Sequence, residues 1–380
     1  MKKNKLRHNK EKKALILLPS LEKGDGSAAA IMNYYDALAK GGWTVDFLLT
    51  RCSQNSRTEK VTRCGGRIFV LPSKNKYSCS AAKMLLSVIK RGDYSVIHIN
   101  IPGHIACLAL KDARKSGVPI RVFHCHNPKN TLNIKTKVST LLYDSLCLRY
   151  ASRLIACSES AGVSRFGNRN FKVLKNLITA SSFRYDKAVR TELRRKIGAE
   201  NNILVGVVSR ITAQKNPLFL VECFAAFKRK EPGAKLLWIG EGDLTGKVQD
   251  LLKEKSLLDD CVFTGRIEDP GQWYSAMDLF LLPSLFEGLG IVFLEAQCSG
   301  LPCFGSDKVP PETEVTPLMH RLSLQRSAED WASAMEKEAL SHTVRRDMGD
   351  DLRRAGYTVE TSGSGMLALY NNWYREWERS

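Results

Sequence analysis

The chain has 380 residues, of which 43% are hydrophobic and 26% charged, and this is enough to bury the cores of two ordinary domains. The composition excludes a disordered chain, and no stretch reaches the roughly 18 to 20 apolar residues that a membrane-spanning helix requires. The formal net charge is +19, and its excess lies in the first half: residues 1–183 contain 32 Lys and Arg against 10 Asp and Glu, whereas residues 184–380 contain 26 against 29.

The basic first half predicts an anionic partner. Its field would attract anionic lipid headgroups or a phosphate-bearing acceptor, at about 1 kcal/mol per basic residue close to a membrane surface. Nucleic acid is the other class of anionic partner, but the chain has no recognised nucleic-acid motif and few aromatic residues among its lysines. We therefore expect no nucleic-acid partner. A basic surface that serves solubility alone is the remaining alternative.

The chain opens with a basic segment, residues 1–13, followed by an apolar run, 14–21, that ends at Glu22 and Lys23. This run is short for a signal peptide, so it predicts the first buried strand of a cytoplasmic protein. The eleven cysteines are scattered and include no C-x-x-C pair, which predicts free thiols rather than a disulfide framework or a structural zinc site.

Short apolar segments alternate with amphipathic stretches in two successive series, which predicts an α/β protein with two doubly wound parallel sheets. The predicted strands are 14–18, 44–49, 67–71, 95–99, 120–126 and 153–158 in the first series, and 203–210, 235–240, 261–265, 279–284 and 301–306 in the second. A charged stretch after Asn176 separates the series, so we expect domains at 1–183 and 184–360. Ligands bind such sheets outside the carboxyl ends of the strands.

The fifth predicted strand ends in F-H-C-H-N-P, and its period of two places His124 and His126 on one face. A metal site would need further ligands, so a structural role is the simplest interpretation of this pair. The chain also contains no Asp-x-Asp and no phosphate-binding P-loop. We therefore expect no metal requirement, with positive side chains and helix N-termini in place of a metal ion.

The strand G-V-V-S-R ends at Arg210, and Lys215 follows five residues later. Two cations in the loop at a strand's carboxyl end can hold a diphosphate and neutralise the charge that grows as a leaving group departs. Plain loop charges are the alternative.

The segment 283–302 carries two glutamates, Glu287 and Glu295, eight residues apart. Gly288 and Gly290 flank Leu289 in a turn that allows close approach of a ligand, and the helix start after it offers N–H groups to a phosphate. At about 1.5 Å rise per residue the carboxylates lie about 11 to 12 Å apart along the helix, enough for one to hold a sugar and the other a ribose. Two solvated glutamates on a helix are the alternative.

The order of these segments resembles retaining glycosyltransferases of family 4, which have the two-domain GT-B fold, and is most similar to the bacterial exopolysaccharide and capsule branch. The resemblance covers nearly the whole chain from Ala14, and its segments are S-R-I-T-A-Q-K-N-P, W-I-G-E-G-D-L, T-G-R-I-E-D and P-S-L-F-E-G-L-G-I-V-F-L-E-A-Q-C-S-G-L-P. It implies two Rossmann-like domains that face each other across a cleft. It also implies that the last helix, in 361–380, crosses back onto the first domain.

The resemblance assigns roles to individual residues. Its implied catalytic residues are His126 at the reacting region, Arg210 and Lys215 at the diphosphate, and Glu287 at the donor sugar. Its implied donor-binding residues are Gly26, Arg266, Ile267, Gly288, Leu289, Gly290, Ile291 and Glu295. The first loop departs from the family pattern, because Asp25 stands in place of a glycine and Ala28 in place of a glutamate.

The function implied is transfer of a sugar, with retained anomeric configuration, from a nucleotide diphosphate sugar to a hydroxyl of a growing saccharide. We expect a UDP-sugar donor, a lipid-linked cell-surface acceptor, no cofactor, and a cytoplasmic enzyme held at the anionic inner face of the membrane. One alternative keeps the fold and changes the reaction to epimerisation or phosphorolysis of a sugar nucleotide. A membrane-associated protein that binds sugar nucleotides without catalysis is the other alternative, and Ala28 favours it.

Overall fold

The structure is a computed structural model that describes residues 10–22, 24–51, 55–72, 79–128, 134–341 and 345–380. The chain divides into two compact units. The first consists of Met1–Asn176 and Ser362–Ser380, and the second of Leu177–Thr361. Each unit is built around its own parallel sheet.

The described part of the first unit forms a seven-stranded parallel sheet with the order β3-β2-β1-β4-β5-β6-β7. Its strands are β1 Lys13–Leu18, β2 Thr44–Leu49, β3 Ile68–Val70, β4 Val96–Ile99, β5 Ile120–Cys125, β6 Arg153–Ala156 and β7 Lys172–Val173. β1 lies at the centre, and its residues from Ala14 to Leu18 are at most 1% exposed because helices cover both faces of a doubly wound sheet. The apolar run at the start of the chain is therefore a buried strand.

Among the described residues, the helices that follow the strands of this unit are α1 Gly26–Lys40, α2 Ser56–Arg63, α3 Cys79–Arg91, α4 His104–Lys115, α5 Ile134–Tyr150 and α6 Glu159–Phe166. The described part of the second unit has a six-stranded parallel sheet, ordered β10-β9-β8-β11-β12-β13. Its strands are β8 Leu204–Val208, β9 Lys235–Ile239, β10 Cys261–Gly265, β11 Leu279–Leu282, β12 Cys303–Ser306 and β13 Met319–Leu322. In both sheets the strand order reverses beside the first strand, as in doubly wound folds.

The remaining helices are α7 Lys187–Lys196, α8 Pro217–Lys230, α9 Thr245–Glu254, α10 Trp273–Ala276, α11 Ile291–Cys298, α12 Ala328–Ser341, α13 Gly349–Arg354, α14 Val359–Ser362 and α15 Gly365–Glu378. α15 belongs to the first unit and buries its aromatic face there. The rings of Tyr370 and Tyr374 pack edge-on against Trp43, with ring centroids 5.1 and 5.8 Å away. The helical spacing of these aromatic residues therefore serves packing.

Two short strands were missing from the sequence analysis. β7 contains only Lys172 and Val173, both exposed, and β13 includes His320 and Arg321. Neither has the apolar run that identified the other strands. Residues 177–183 belong to the second unit, where Ile178 pairs with Thr358 and the Phe183 ring contacts Tyr274.

Candidate functional site

The second unit brings together Lys215 and Glu287, which are far apart in sequence. Lys215 Nζ lies 2.5 Å from Glu287 Oε1, and their side chains are only 14% and 6% exposed. Ser284 Oγ donates a second hydrogen bond, 2.6 Å long, to the same carboxylate oxygen. A buried charge is costly unless it is paired and hydrogen-bonded, so this carboxylate is stable only with both partners.

One backbone and one side-chain hydrogen bond fix the two loops that carry this pair. Leu285 N donates to Gln214 O over 2.8 Å, and Gln214 Nε2 donates to Phe286 O over 3.1 Å. After Lys215 the chain enters α8 through Asn216, which has a left-handed backbone (φ 53°), with Pro217 at the first helical position. Proline suits this position because its N–H would have no helical partner. The pair is thus held from both loops.

Arg210 follows β8 and lies on the surface, with its side chain exposed. Within the described residues its guanidinium has no hydrogen-bond or ion-pair partner. Its loop is fixed by main-chain contacts: Ser209 N donates to Ile239 O over 3.0 Å, and Ile211 N donates to Glu241 O over 3.1 Å. In the part of the chain that the structure describes, Lys215 is thus anchored by a carboxylate, whereas Arg210 is exposed and unpaired.

The turn Gly288-Leu289-Gly290 leads directly into α11. Leu289 is buried (1% exposed), and Gly290 precedes the helix with a left-handed backbone (φ 78°). A Cβ at Gly290 would lie 2.9 Å from Phe293 Cδ2, so the position requires glycine for both conformation and space. Ile291 begins the helix. Phe293 N donates to Gly290 O over 2.9 Å, and the N–H groups of Ile291 and Val292 precede this first bond of the helix. Because the helix starts at Ile291, helical rise covers only part of the path from Glu287 to Glu295.

Glu295 lies in the second turn of α11, where Tyr274 Oη donates a 2.6 Å hydrogen bond to its Oε2. The residue keeps part of its surface exposed. Burial of the carboxyl raises its pKa to about 7, the Tyr274 hydrogen bond lowers it, and the nearby Asp269 raises it further. Burial also raises the pKa of Tyr274 well above its ordinary value, so its hydroxyl stays protonated and acts as the donor.

Arg266 and Ile267 follow Gly265, the last residue of β10, whose backbone is left-handed (φ 65°). Gly240 N donates to Gly265 O over 2.8 Å, which joins the carboxyl ends of β9 and β10. Arg266 is exposed, whereas Ile267 packs against the core of the second unit. Both therefore sit at the carboxyl edge of the second sheet, where ligands of such folds bind.

His126 lies in the first unit, directly after β5. Its Nε2 is 2.8 Å from Asn100 Oδ1, and its ring packs on that of His124, with centroids 4.1 Å apart. His124 Nδ1 in turn lies 3.1 Å from His98 Nε2, and His98 Nδ1 lies 2.7 Å from Tyr370 Oη. The predicted common face of His124 and His126 is thus confirmed, and His124 and His98 form their hydrogen bonds inside the first unit.

These histidines are neutral near pH 7. Burial lowers the pKa of His98 to about 3 and that of His126 to about 4, although the negative charge of Asp25 raises the latter. Asn100 Nδ2 faces His98 O at 3.5 Å, which leaves its Oδ1 as the acceptor for His126 Nε2–H. Within the described residues, His126 Nδ1 is then a buried hydrogen-bond acceptor without a partner.

Asp25 explains how the first loop differs from the family pattern. Its Oδ1 accepts from Ser27 N and Ala28 N at 3.0 and 3.3 Å, and so caps α1, which begins at Gly26. The carboxylate thereby satisfies helix N–H groups that a glycine would leave open. Ala28 is fully buried, and a Cβ at Gly26 would meet nothing within 4 Å.

Within the described residues, no group of three or more His, Cys, Asp or Glu side chains is arranged to hold a metal ion. In the same ranges, no helix is long and apolar enough to cross a membrane. Three polar partners of the predicted site residues were not predicted from the sequence: Ser284, Tyr274 and Asn100. Ser284 stands in the motif itself, but neither of the others has a spacing that reveals its contact.

Two family profiles match the chain. The one described as Glycosyltransferase Family 4 matches residues 24–162, and the one described as Glycosyl transferases group 1 matches residues 189–353. The chain is 30% identical over 376 residues to EpsF of Bacillus subtilis, itself assigned as a glycosyltransferase, and the match covers 96% of this chain and 97% of that protein.

A further relative is the UDP-Gal:α-D-GlcNAc-diphosphoundecaprenol α-1,3-galactosyltransferase of Escherichia coli, which is 27% identical over 247 residues, 59% of this chain and 60% of that protein. Among solved structures, HepE of Anabaena in complex with UDP and glucose superposes with a TM-score of 0.78 at 17% identity, covering 95% of this chain and all of that one. This likeness and the two parallel sheets confirm the expected fold class, with two Rossmann-like domains.

Proposed function

Because the chain belongs to glycosyltransferase family 4 and has the GT-B fold, we propose that it is a retaining, metal-independent enzyme that transfers a sugar from a UDP-sugar to a lipid-linked saccharide of a cell-surface polysaccharide. One observation carries the proposal. Lys215 and Glu287 meet at the carboxyl edge of the second sheet. In the proposed enzyme this cation binds the diphosphate of the donor, and this carboxylate binds the hydroxyls of its sugar.

The proposed reaction needs no group beyond the two substrates and the side chains. The acceptor hydroxyl oxygen bonds to the anomeric carbon on the face from which the diphosphate leaves. The bonding electron pair departs with the diphosphate, which also takes the acceptor's proton. Arg210 and Lys215 neutralise the charge that grows on the diphosphate, which is the largest contribution that fixed groups make in such sites.

The remaining residues would orient the substrates. Glu287 accepts hydrogen bonds from the donor sugar, and Glu295 from the ribose. The N–H groups at the start of α11, after Gly290, offer donors to a phosphate. In the first unit, His126 is the residue that we propose for the acceptor side of the reaction.

The relatives support the finer parts of the proposal. The E. coli relative is named for a UDP-galactose donor and a diphosphoundecaprenol-linked acceptor, and the HepE structure holds UDP and glucose. We propose an exopolysaccharide as the product because the sequence resembles the bacterial exopolysaccharide branch of the family.

The donor site is tested by calorimetric titration of the purified protein with UDP, GDP, ADP and CDP, with and without EDTA. We expect UDP to bind, EDTA to leave its affinity unchanged, and Lys215→Ala to weaken binding about ten-fold or more, as loss of a charge-assisted hydrogen bond predicts. If none of the four nucleotides binds the wild-type protein, the proposed donor site is wrong.

One face of α5 supports the proposed contact with a membrane and with a lipid-linked acceptor. Val138, Leu141 and Leu142 have helical spacing and are 63%, 45% and 58% exposed. Val163 of α6 is 53% exposed, and Arg169 lines the same depression as Leu141. We assign this α5 face to an anionic lipid surface, because a second copy of the chain would bring like charge against this basic unit.

The lipid assignment predicts that the double variant L141S/L142S loses binding to vesicles containing about one third anionic lipid by about ten-fold or more, since each leucine loses apolar burial. Co-sedimentation measures the affinity. The matched control is Leu340→Ser, which removes a 68% exposed leucine of the second unit and should change nothing. Equal binding of wild-type protein to neutral vesicles, or an unchanged double variant, contradicts the assignment.

A further inference from the structure

The contact between Tyr274 and Glu295 gives the donor site a residue that the motifs do not contain. We infer that Tyr274 is a positioning residue for the ribose. Its hydroxyl donates a hydrogen bond to Glu295 Oε2, and this orients the other carboxylate oxygen, Oε1, toward the ribose hydroxyls of the donor. This inference rests on the proposed function, because it requires a nucleotide in this site.

Tyr274 is held rigidly in the core. Its side chain is fully buried, and its ring lies 5.7 Å from that of Phe183 and 6.0 Å from that of Phe280, measured between centroids. A ring enclosed in this way has little rotamer freedom, so its hydroxyl has one position. The 2.6 Å hydrogen bond from this hydroxyl restricts the Glu295 side chain, which would otherwise adopt several rotamers.

Arg345 fixes the backbone on both sides of this contact. Its Nη2 donates to Tyr274 O over 2.9 Å, and its Nη1 donates to Met277 O over 3.0 Å, which anchors α10. Its Nε donates to Ser299 O over 3.1 Å, at the end of α11. One guanidinium therefore ties the helix that carries Tyr274 to the helix that carries Glu295.

The second oxygen of Glu295 remains available to a ligand. Among the described residues, no hydrogen-bond donor contacts Oε1, and part of the residue is exposed. A carboxylate with one oxygen held by the protein and one accessible is preorganised to accept hydrogen bonds from ribose hydroxyls.

The same environment makes the contact sensitive to pH. The titratable groups that face the Glu295 carboxyl are Tyr274, Asp269 and Cys298, and burial keeps Tyr274 and Cys298 protonated by raising the pKa of each. The carboxyl itself has a pKa raised to about 7. Above that pH the Glu295 carboxyl is an anion and accepts strong hydrogen bonds from the ribose. Below that pH the carboxyl is protonated, and these hydrogen bonds are weaker. The Tyr274 hydrogen bond favours the anion, so its loss moves the transition to higher pH.

The test compares a ribonucleoside diphosphate with its 2′-deoxy form, using whichever of UDP, GDP, ADP or CDP the wild-type protein binds. At pH 8.5 we expect the wild-type protein to prefer the ribose form by about ten-fold, as one charge-assisted hydrogen bond predicts. This preference should fall as the pH drops through about 7. In Tyr274→Phe it should be about three-fold or less, and its fall should begin at a higher pH.

A matched control separates positioning from a general loss of packing. Tyr357 of the same unit is 5% exposed and donates to Glu312 O over 3.0 Å, so Tyr357→Phe also removes a buried hydroxyl. It should keep the wild-type ribose preference and pH midpoint. In Glu295→Gln the preference should become independent of pH, and this variant tests the carboxyl if Tyr274→Phe does not fold.

The outcomes are distinct. An unchanged preference and midpoint in Tyr274→Phe overturns the inference, as does an equal change in Tyr357→Phe. A pH-dependent preference that persists in Glu295→Gln also overturns it. Failure of the wild-type protein to bind any of the four nucleotides would instead overturn the proposed function.

Discussion

Replacing Lys215 by alanine should lower the rate of sugar transfer by about 100- to 1000-fold, because one well-placed charge donor is worth about 3 to 4 kcal/mol in the transition state. It should also destabilise the second unit. Glu287 is only 6% exposed and would keep a single protein donor, Ser284. Removing one partner of a buried pair costs about 3 to 5 kcal/mol. The measurement is the initial rate of nucleoside diphosphate release with a saccharide acceptor, together with thermal unfolding.

Two further variants separate catalysis from stability. Lys228→Ala breaks another partly buried pair of the same unit, with Asp260 at 2.8 Å, and should leave the transfer rate unchanged. Arg210→Ala removes an exposed side chain without a partner in the described residues, so it should slow transfer while the melting temperature stays the same. Transfer at the wild-type rate in either Lys215→Ala or Arg210→Ala contradicts the proposed leaving-group role of that residue.

Replacing Gly240 by alanine should destabilise the second unit by about 3 to 5 kcal/mol, from the sum of backbone strain and overpacking. Its backbone has φ 136°, a region that side chains rarely adopt, and a Cβ there would lie 2.0 Å from Ser209 O. Because Arg210 follows Ser209, the loop shift should also weaken nucleotide binding. Chemical denaturation and calorimetry measure the two effects.

The control for this variant lies six residues further along the chain. Gly246 is in α9, its φ is not positive, and a Cβ there would meet nothing within 4 Å. Gly246→Ala should therefore be neutral or stabilising by up to about 1 kcal/mol, since alanine favours helix. If Gly240→Ala were as stable as Gly246→Ala, the close contact between the loops after β8 and β9 would be wrong.

The long apolar strands could be predicted from sequence because burial on both faces leaves a direct signature. β1 and β8 are continuous apolar runs, and both form central strands. β7 and β13 carry no such signature, since β7 has two exposed residues and β13 contains His320 and Arg321. Edge strands need little apolar surface, which is why sequence periodicity misses them.

Motifs in the sequence name candidate site residues, whereas the contacts between these residues cannot be read from the sequence. Lys215 and Glu287 each stand in a recognisable motif, but they are 72 positions apart and nothing in the sequence indicates that they pair. Tyr274 had no signal at all, because its role depends on where α10 lies relative to α11. Pairing across elements is set by tertiary packing, and one sequence without its fold does not specify it.

Acceptor-dependent release of UDP distinguishes sugar transfer from binding or epimerisation of a sugar nucleotide. The wild-type protein is incubated with a panel of UDP-sugars, EDTA and lipid-linked saccharides from the membrane of a polysaccharide-producing bacterium, and the product is identified by mass spectrometry. We expect UDP release that requires the lipid acceptor, a lipid product heavier by one sugar residue, and loss of both in Lys215→Ala. UDP-sugar binding without any transfer, or conversion of the UDP-sugar to an epimer without an acceptor, would contradict the proposed sugar transfer.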